Sequence, residues 1–113
     1  PALSSIKVRV LPEKVLVDRT LQSKQNYEDN KAREKGYFNE SSAWDAPQET
    51  INRWVVNYIR HNLTTYDYYW GYLGEGIGRK DVAAYYKRAV LEKIAEVYPT
   101  YKDECERQIL ETY

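Results

Sequence analysis

The strongest constraint on the fold is a run of apolar and aromatic residues at helical spacing. Ile51, Trp54, Val55, Tyr58, Ile59 and Asn62 recur at i, i+3, i+4, i+7, i+8 and i+11, which places them on one face of an α-helix and demands a partner for that face. Asp45, followed by Ala46-Pro47-Gln48, reads as an N-cap with proline in the first turn. Arg53 and Arg60 fall opposite the stripe, and Asn57 and His61 lie on its border.

A second amphipathic helix is expected from Lys80 to Tyr98, ended by Pro99, with Val82, Tyr86, Ala89, Val90, Ile94 and Val97 on one face. Lys93 interrupts that face, and its stem can run past its neighbours to water. A shorter third helix follows Pro99-Thr100, marked by Tyr101, Cys105, Ile109 and Thr112. Val, Ile, Leu and Phe make up only about a fifth of the chain, near the level at which folding is in question. The 12 Tyr and 3 Trp supply the missing apolar area, so the core is expected to be rich in rings whose polar ends need partners.

The N-terminal part reads differently. Ile6, Val8 and Val10 alternate with Lys7 and Arg9, the period of a half-buried strand, and Val15 and Val17 repeat it after Pro12-Glu13-Lys14. These features predict a β-hairpin over residues 1–18. Residues 19–43 read as a charged, mobile arm with one solvated helix from Asn26 to Lys35, and Tyr37-Phe38 as an anchor if it orders on a partner. The expected architecture is thus a single α+β domain, an N-terminal hairpin followed by a helical part over 44–113. The alternative is all-α with an irregular N-terminus.

Between the two long helices lies RHNLTTYDYYWGYLGEGIGRK, residues 60–80, with the only histidine and a cluster of glycines. Gly74-Glu75-Gly76-Ile77-Gly78 lacks the Gly-Lys-Ser/Thr ending of a phosphate loop and a buried strand before it. The glycines read as a turn between packed helices. His61 has its nearest downstream carboxylate, Asp67, six positions away across a helix end, which does not form a catalytic dyad locally, so a structural histidine is expected. Thr64-x-x-Asp67 resembles a capping box. Tyr66, Tyr69 and Trp70, among other rings, cannot all share one buried face. Interleaved with Arg60, Arg79, Lys80 and Arg88, they suit stacking on bases with cations on phosphates.

Charge excludes wholesale polyanion binding, because 17 basic and 17 acidic residues balance to a net charge of zero. A single cysteine and a single histidine cannot build an all-protein Cys/His zinc site, and no cofactor or metal is expected. Cys105 reads as a small core residue in a protein of a reducing compartment. No apolar run reaches membrane-spanning length, and no signal peptide is apparent in a chain that opens on Pro-Ala, as after initiator removal. A cytoplasmic location is expected.

Arg60-His61-x-x-Thr64-x-Tyr66-Asp67, with Arg79 and the following alanine-containing helix, resembles a motif of the family called domain of unknown function 2293, over roughly Val55 to Pro99. The chain departs from that pattern in a longer aromatic and glycine-rich insertion between Asp67 and Arg79. The resemblance brings no activity. It implies that Arg60, His61, Thr64, Tyr66, Asp67 and Arg79 act together as a polar network fixing the helix-turn-helix. The functional expectation is a non-enzymatic binding or accessory protein acting through protein contacts, with self-association through an exposed strand edge. Nucleic-acid binding near residues 60–88 is the alternative.

Overall fold

The computed structural model describes residues 6–66 and 80–112, with the side chains of residues 80–82 left aside. Four α-helices are present among the described residues: α1 (Glu13–Glu34), α2 (Gln48–Asn62), α3 (Lys80–Val97) and α4 (Lys102–Glu111). Short 3-10 turns at Ala43–Asp45 and Pro99–Tyr101 precede α2 and α4. No strand occurs among the described residues, so the α+β expectation is corrected to all-α. The chain divides into two compact units, one of Leu11–Val55 and the other of Pro1–Val10 with Val56–Tyr113.

In the Leu11–Val55 unit, the expected second strand is the start of α1. Pro12 sits at the N-cap with ψ near 140°, Glu13 occupies the first turn, and the Leu16 N–H donates to the Pro12 carbonyl at 2.9 Å. Pro-Glu is therefore a helix start rather than a hairpin turn. Leu16, Thr20, Leu21 and Ala32 form the buried face. The expected mobile arm is mostly this same helix, 22 residues long. Its polar surface is held by i,i+4 pairs: Lys24 to Glu28 at 3.1 Å, Gln22 to Asn26 at 2.9 Å and Gln25 to Asp29 at 2.8 Å.

α1 ends in a Schellman motif. The Gly36 N–H donates to the Arg33 carbonyl and the Tyr37 N–H to the Ala32 carbonyl, both at 3.0 Å, with Gly36 at φ +85°. That left-handed conformation is the reason for glycine here, since a side chain would be strained in it. α2 begins two residues later than the sequence suggests. The Pro47 carbonyl accepts from the Ile51 N–H at 3.0 Å, while Asp45 belongs to the preceding 3-10 turn.

The other unit is built on α3 and α4, which pack together. Tyr86, Ala89, Val90 and Ile94 of α3 are buried as their spacing predicts, and Leu91 joins them. Lys93 lies within 3.5 Å of Glu96, which satisfies its charge at the edge of that face. Tyr101, Cys105, Gln108 and Thr112 are the buried positions around α4. Burial pushes the Cys105 thiol up to about 12, with Glu104 and Glu106 adding to the effect, so at neutral pH it is an un-ionised core group rather than a nucleophile. The expected first strand is chain outside any helix or strand: Ile6 is buried, Val10 exposed, and the Arg9 N–H donates to the Leu63 carbonyl at 2.8 Å. Among the described residues there is no strand and so no strand edge to carry the expected self-association.

Candidate functional site

Two constellations carry chemistry-bearing side chains, one in each unit. The first is the set around the end of α2 that the sequence singles out. Arg60 is half-buried rather than solvated, because α4 supplies it with an acceptor. Its Nη1 donates to Gln108 Oε1 at 2.8 Å, its Nη2 lies 3.3 Å from His61 Nε2, and its guanidinium carbon stands 5.0 Å from the centre of the Tyr66 ring. That last distance is a cation–π contact. His61 meets Tyr66 edge-on at 5.5 Å, and Tyr66 stacks on Tyr86 at 6.4 Å.

Thr64 acts as a cap. Its hydroxyl donates to the Arg60 carbonyl at 2.5 Å and accepts from the Tyr66 N–H at 3.0 Å, so one side chain joins the end of α2 to the residues that follow. Thr65 Oγ1 and the Tyr86 hydroxyl share a bond of 3.1 Å. From Gln108 the network continues to Glu104, which accepts from Gln108 Nε2 at 2.7 Å and from Arg107 Nη2 at 2.7 Å. Gln108 is the member that sequence reasoning missed, and its only prior signal was a polar residue on the buried face of α4.

The structure therefore brings together Arg60, His61, Thr64 and Tyr66 and adds Gln108 and Tyr86. Arg88 donates to the Thr112 carbonyl at 3.3 Å. Asp67, Tyr69, Trp70 and Arg79 lie outside the described residues, as does the side chain of Lys80. Tyr66 is only 4% exposed, so its faces serve Arg60 and Tyr86 rather than an incoming base. No group of three or more His, Cys, Asp or Glu side chains converges as a metal site would among the described residues.

Lys87 borders this constellation. Burial depresses its ammonium, the Arg60 guanidinium depresses it further, and Glu111 works in the opposite direction. A lysine held below its usual range costs stability while protonated, and that cost fades as pH rises from the depressed folded value toward the ordinary one. Lys87→Met is expected to raise the melting temperature at neutral pH and to flatten the rise of stability on the alkaline side. Thermal unfolding across pH checks this, and an unchanged alkaline slope counts against it.

The second constellation is the loop after α1, in the Leu11–Val55 unit. Gln25 anchors it: Nε2 donates to the Ser41 carbonyl at 3.0 Å and to Asp29 Oδ1 at 2.8 Å, and Oε1 accepts from the Ala43 N–H at 2.7 Å. Asn39 Nδ2 donates to the same Asp29 oxygen at 2.9 Å, and Asn39 Oδ1 accepts from the Ser41 N–H at 3.1 Å. These amides, first Asn39 and then Gln25, hold the Asp29 carboxyl below its ordinary range, with Arg33 adding to them. The residues between the anchors are thus fixed at both ends.

On this tied loop Phe38 is 85% exposed and Tyr37 58%. They line an open cavity of about 610 Å³ together with Gln25, Asp29, Arg33 and Asn39. The sequence shows the two rings and the glycine before them, but not the amide anchors that tie the loop to α1.

No family model matches the chain, no curated protein matches it, and no solved structure matches it. No helix among the described residues is long and apolar enough to cross a membrane.

Proposed function

We propose that this is a non-enzymatic binding protein that recognises another protein surface through the Tyr37-Phe38 loop. The observation that carries the reading is the exposure of Phe38, at 85%, on a backbone anchored by Gln25, Asn39 and Asp29. An exposed aromatic on a solvated, mobile loop needs no explanation. One on a loop tied to α1 by three side-chain hydrogen bonds is preorganised for a partner, because the ordering cost is met in folding rather than on binding.

The same reading gives the Arg60 constellation a structural role. Arg60 bonds to Gln108 and lies beside His61, and Thr64 links the Arg60 carbonyl to the Tyr66 N–H. The single cysteine of the chain, Cys105, which leaves no intramolecular disulfide to form, is the basis for placing the protein in a reducing compartment, the cytoplasm.

The test is a photo-crosslinking residue at position 38 in the native cell, compared with one at the exposed Glu96. A discrete protein adduct is expected at 38 and not at 96. With that partner purified, Phe38→Ser is expected to weaken binding at least about tenfold at an unchanged melting temperature. Identical adducts at both positions would sink the reading, and so would full affinity in the variant. Salt-sensitive binding to single-stranded oligonucleotide that Phe38→Ser leaves intact would favour the nucleic-acid alternative.

A further inference from the structure

We propose that the surface formed by Asp29, Arg33, Tyr37 and Phe38 binds a second copy of this chain, forming a two-fold dimer. This rests on the reading of the Tyr37-Phe38 loop as a docking element and names its partner.

A two-fold interface must be complementary to itself, residue i of one copy meeting j of the other and j meeting i. A patch of one sign of charge, or a projection without a recess, fails that condition. This one carries both signs and both shapes. Phe38 and Tyr37 are exposed and line the cavity with Gln25, Asp29 and Arg33, so each copy offers both a ring and a recess to the other.

The charges match in the same way. Asp29 and Arg33 lie four residues apart on α1, one helical turn, and both line the cavity. An antiparallel approach of the two α1 helices sets Asp29 of each copy against Arg33 of the other. Both groups have capacity left for this. Asp29 Oδ1 accepts from Gln25 and Asn39, no hydrogen bond reaches Oδ2 among the described residues, and Arg33 forms no ion pair among them. The Asp29 carboxyl is held below its usual range, so it is ionised at neutral pH and ready to accept a guanidinium. The chain as a whole has a formal net charge of zero, so two copies approach without long-range repulsion.

Sedimentation of the full chain from about 1 µM to about 1 mM, a range that spans weak protein association, tests the proposal. The expected result is a concentration-dependent monomer–dimer equilibrium. Phe38→Ser is expected to weaken it at least about tenfold, and Arg33→Glu, which sets two carboxylates against each other, by a similar factor. Leu110→Ser, which removes a side chain 84% exposed in the other unit, should leave it unchanged. Melting temperatures of all three variants are measured alongside, so a folding defect is not mistaken for lost association.

A monomer at every concentration overturns the proposal. So does a dimer that survives Phe38→Ser and Arg33→Glu, or one that Leu110→Ser abolishes. If the chain is monomeric while the crosslinker at position 38 still captures a different protein, the dimer fails and the docking reading stands. If it captures nothing, both fail.

Discussion

Leu16→Ala is expected to cost about 2–5 kcal/mol of stability, while Val15→Ala, one position away, is expected to be neutral or stabilising by a few tenths of a kcal/mol. The two substitutions separate a helix from a strand at the same place in the chain. In the hairpin that the alternation of Val15 and Val17 predicts, Leu16 points to solvent and its neighbours point inward. In α1 the order is reversed. Leu16 is fully buried and Val15 is 38% exposed, with the Leu16 N–H bonded to the Pro12 carbonyl. Truncating Leu16 removes most of a buried side chain and leaves a cavity. Truncating Val15 removes a β-branched residue from an exposed helical position, where alanine loses less side-chain freedom. Urea unfolding of both variants reads the difference directly, and a larger loss for Val15→Ala than for Leu16→Ala would contradict the helix.

The physical reason this helix escapes a reading of the sequence is visible in its composition. α1 buries Leu16, Thr20, Leu21 and Ala32, and between Leu21 and Ala32 no apolar residue marks the inner face. Half-buried Lys24, Gln25, Glu28 and Asp29 occupy those turns. Gln25 and Asp29 attach the helix by hydrogen bonds to the Ser41 carbonyl, the Ala43 N–H and Asn39, which leaves no hydrophobic period to find. α3 and α4 are the opposite case. Tyr86, Ala89, Val90, Ile94 and Cys105 are buried where their spacing places them, because these helices pack through apolar side chains and period then follows burial.

The polar constellation is legible to an intermediate degree. Arg60, His61, Thr64 and Tyr66 fall within seven positions of the chain, and their spacing alone places them near the end of one helix. Gln108 is 48 residues from Arg60, and no local rule connects the two. Assigning Arg60 to the solvated side of α2 follows from the stripe of Ile51, Val55 and Ile59, but a half-buried cation beside an amide and a ring is compatible with the same spacing. Tertiary packing decides between those positions.

Arg60→Ala carries the second large effect, an expected loss of about 2–4 kcal/mol, made up of a cation–π contact, a hydrogen bond to Gln108 and the packing of a long stem. The cost is more than the sum of contacts removed, since Gln108 Oε1 is left on a buried residue without the donor it has at 2.8 Å. Arg60→Lys is expected to recover little of it. An ammonium lacks the planar fork that reaches Gln108 and His61 from one group while lying against Tyr66. His61→Ala, by contrast, removes an exposed ring and should change stability by less than about 1 kcal/mol. A double-mutant cycle between Arg60→Ala and Gln108→Ala should return a coupling of about 0.5–3 kcal/mol, whereas a cycle between Arg60→Ala and Arg53→Ala should return almost none. If Arg60→Ala melts with the wild type, these residues are not a structural network, and their convergence at the end of α2 must serve a ligand instead. If it melts well below, the network belongs to the fold, and recognition is left to the rings on the tied loop of the other unit.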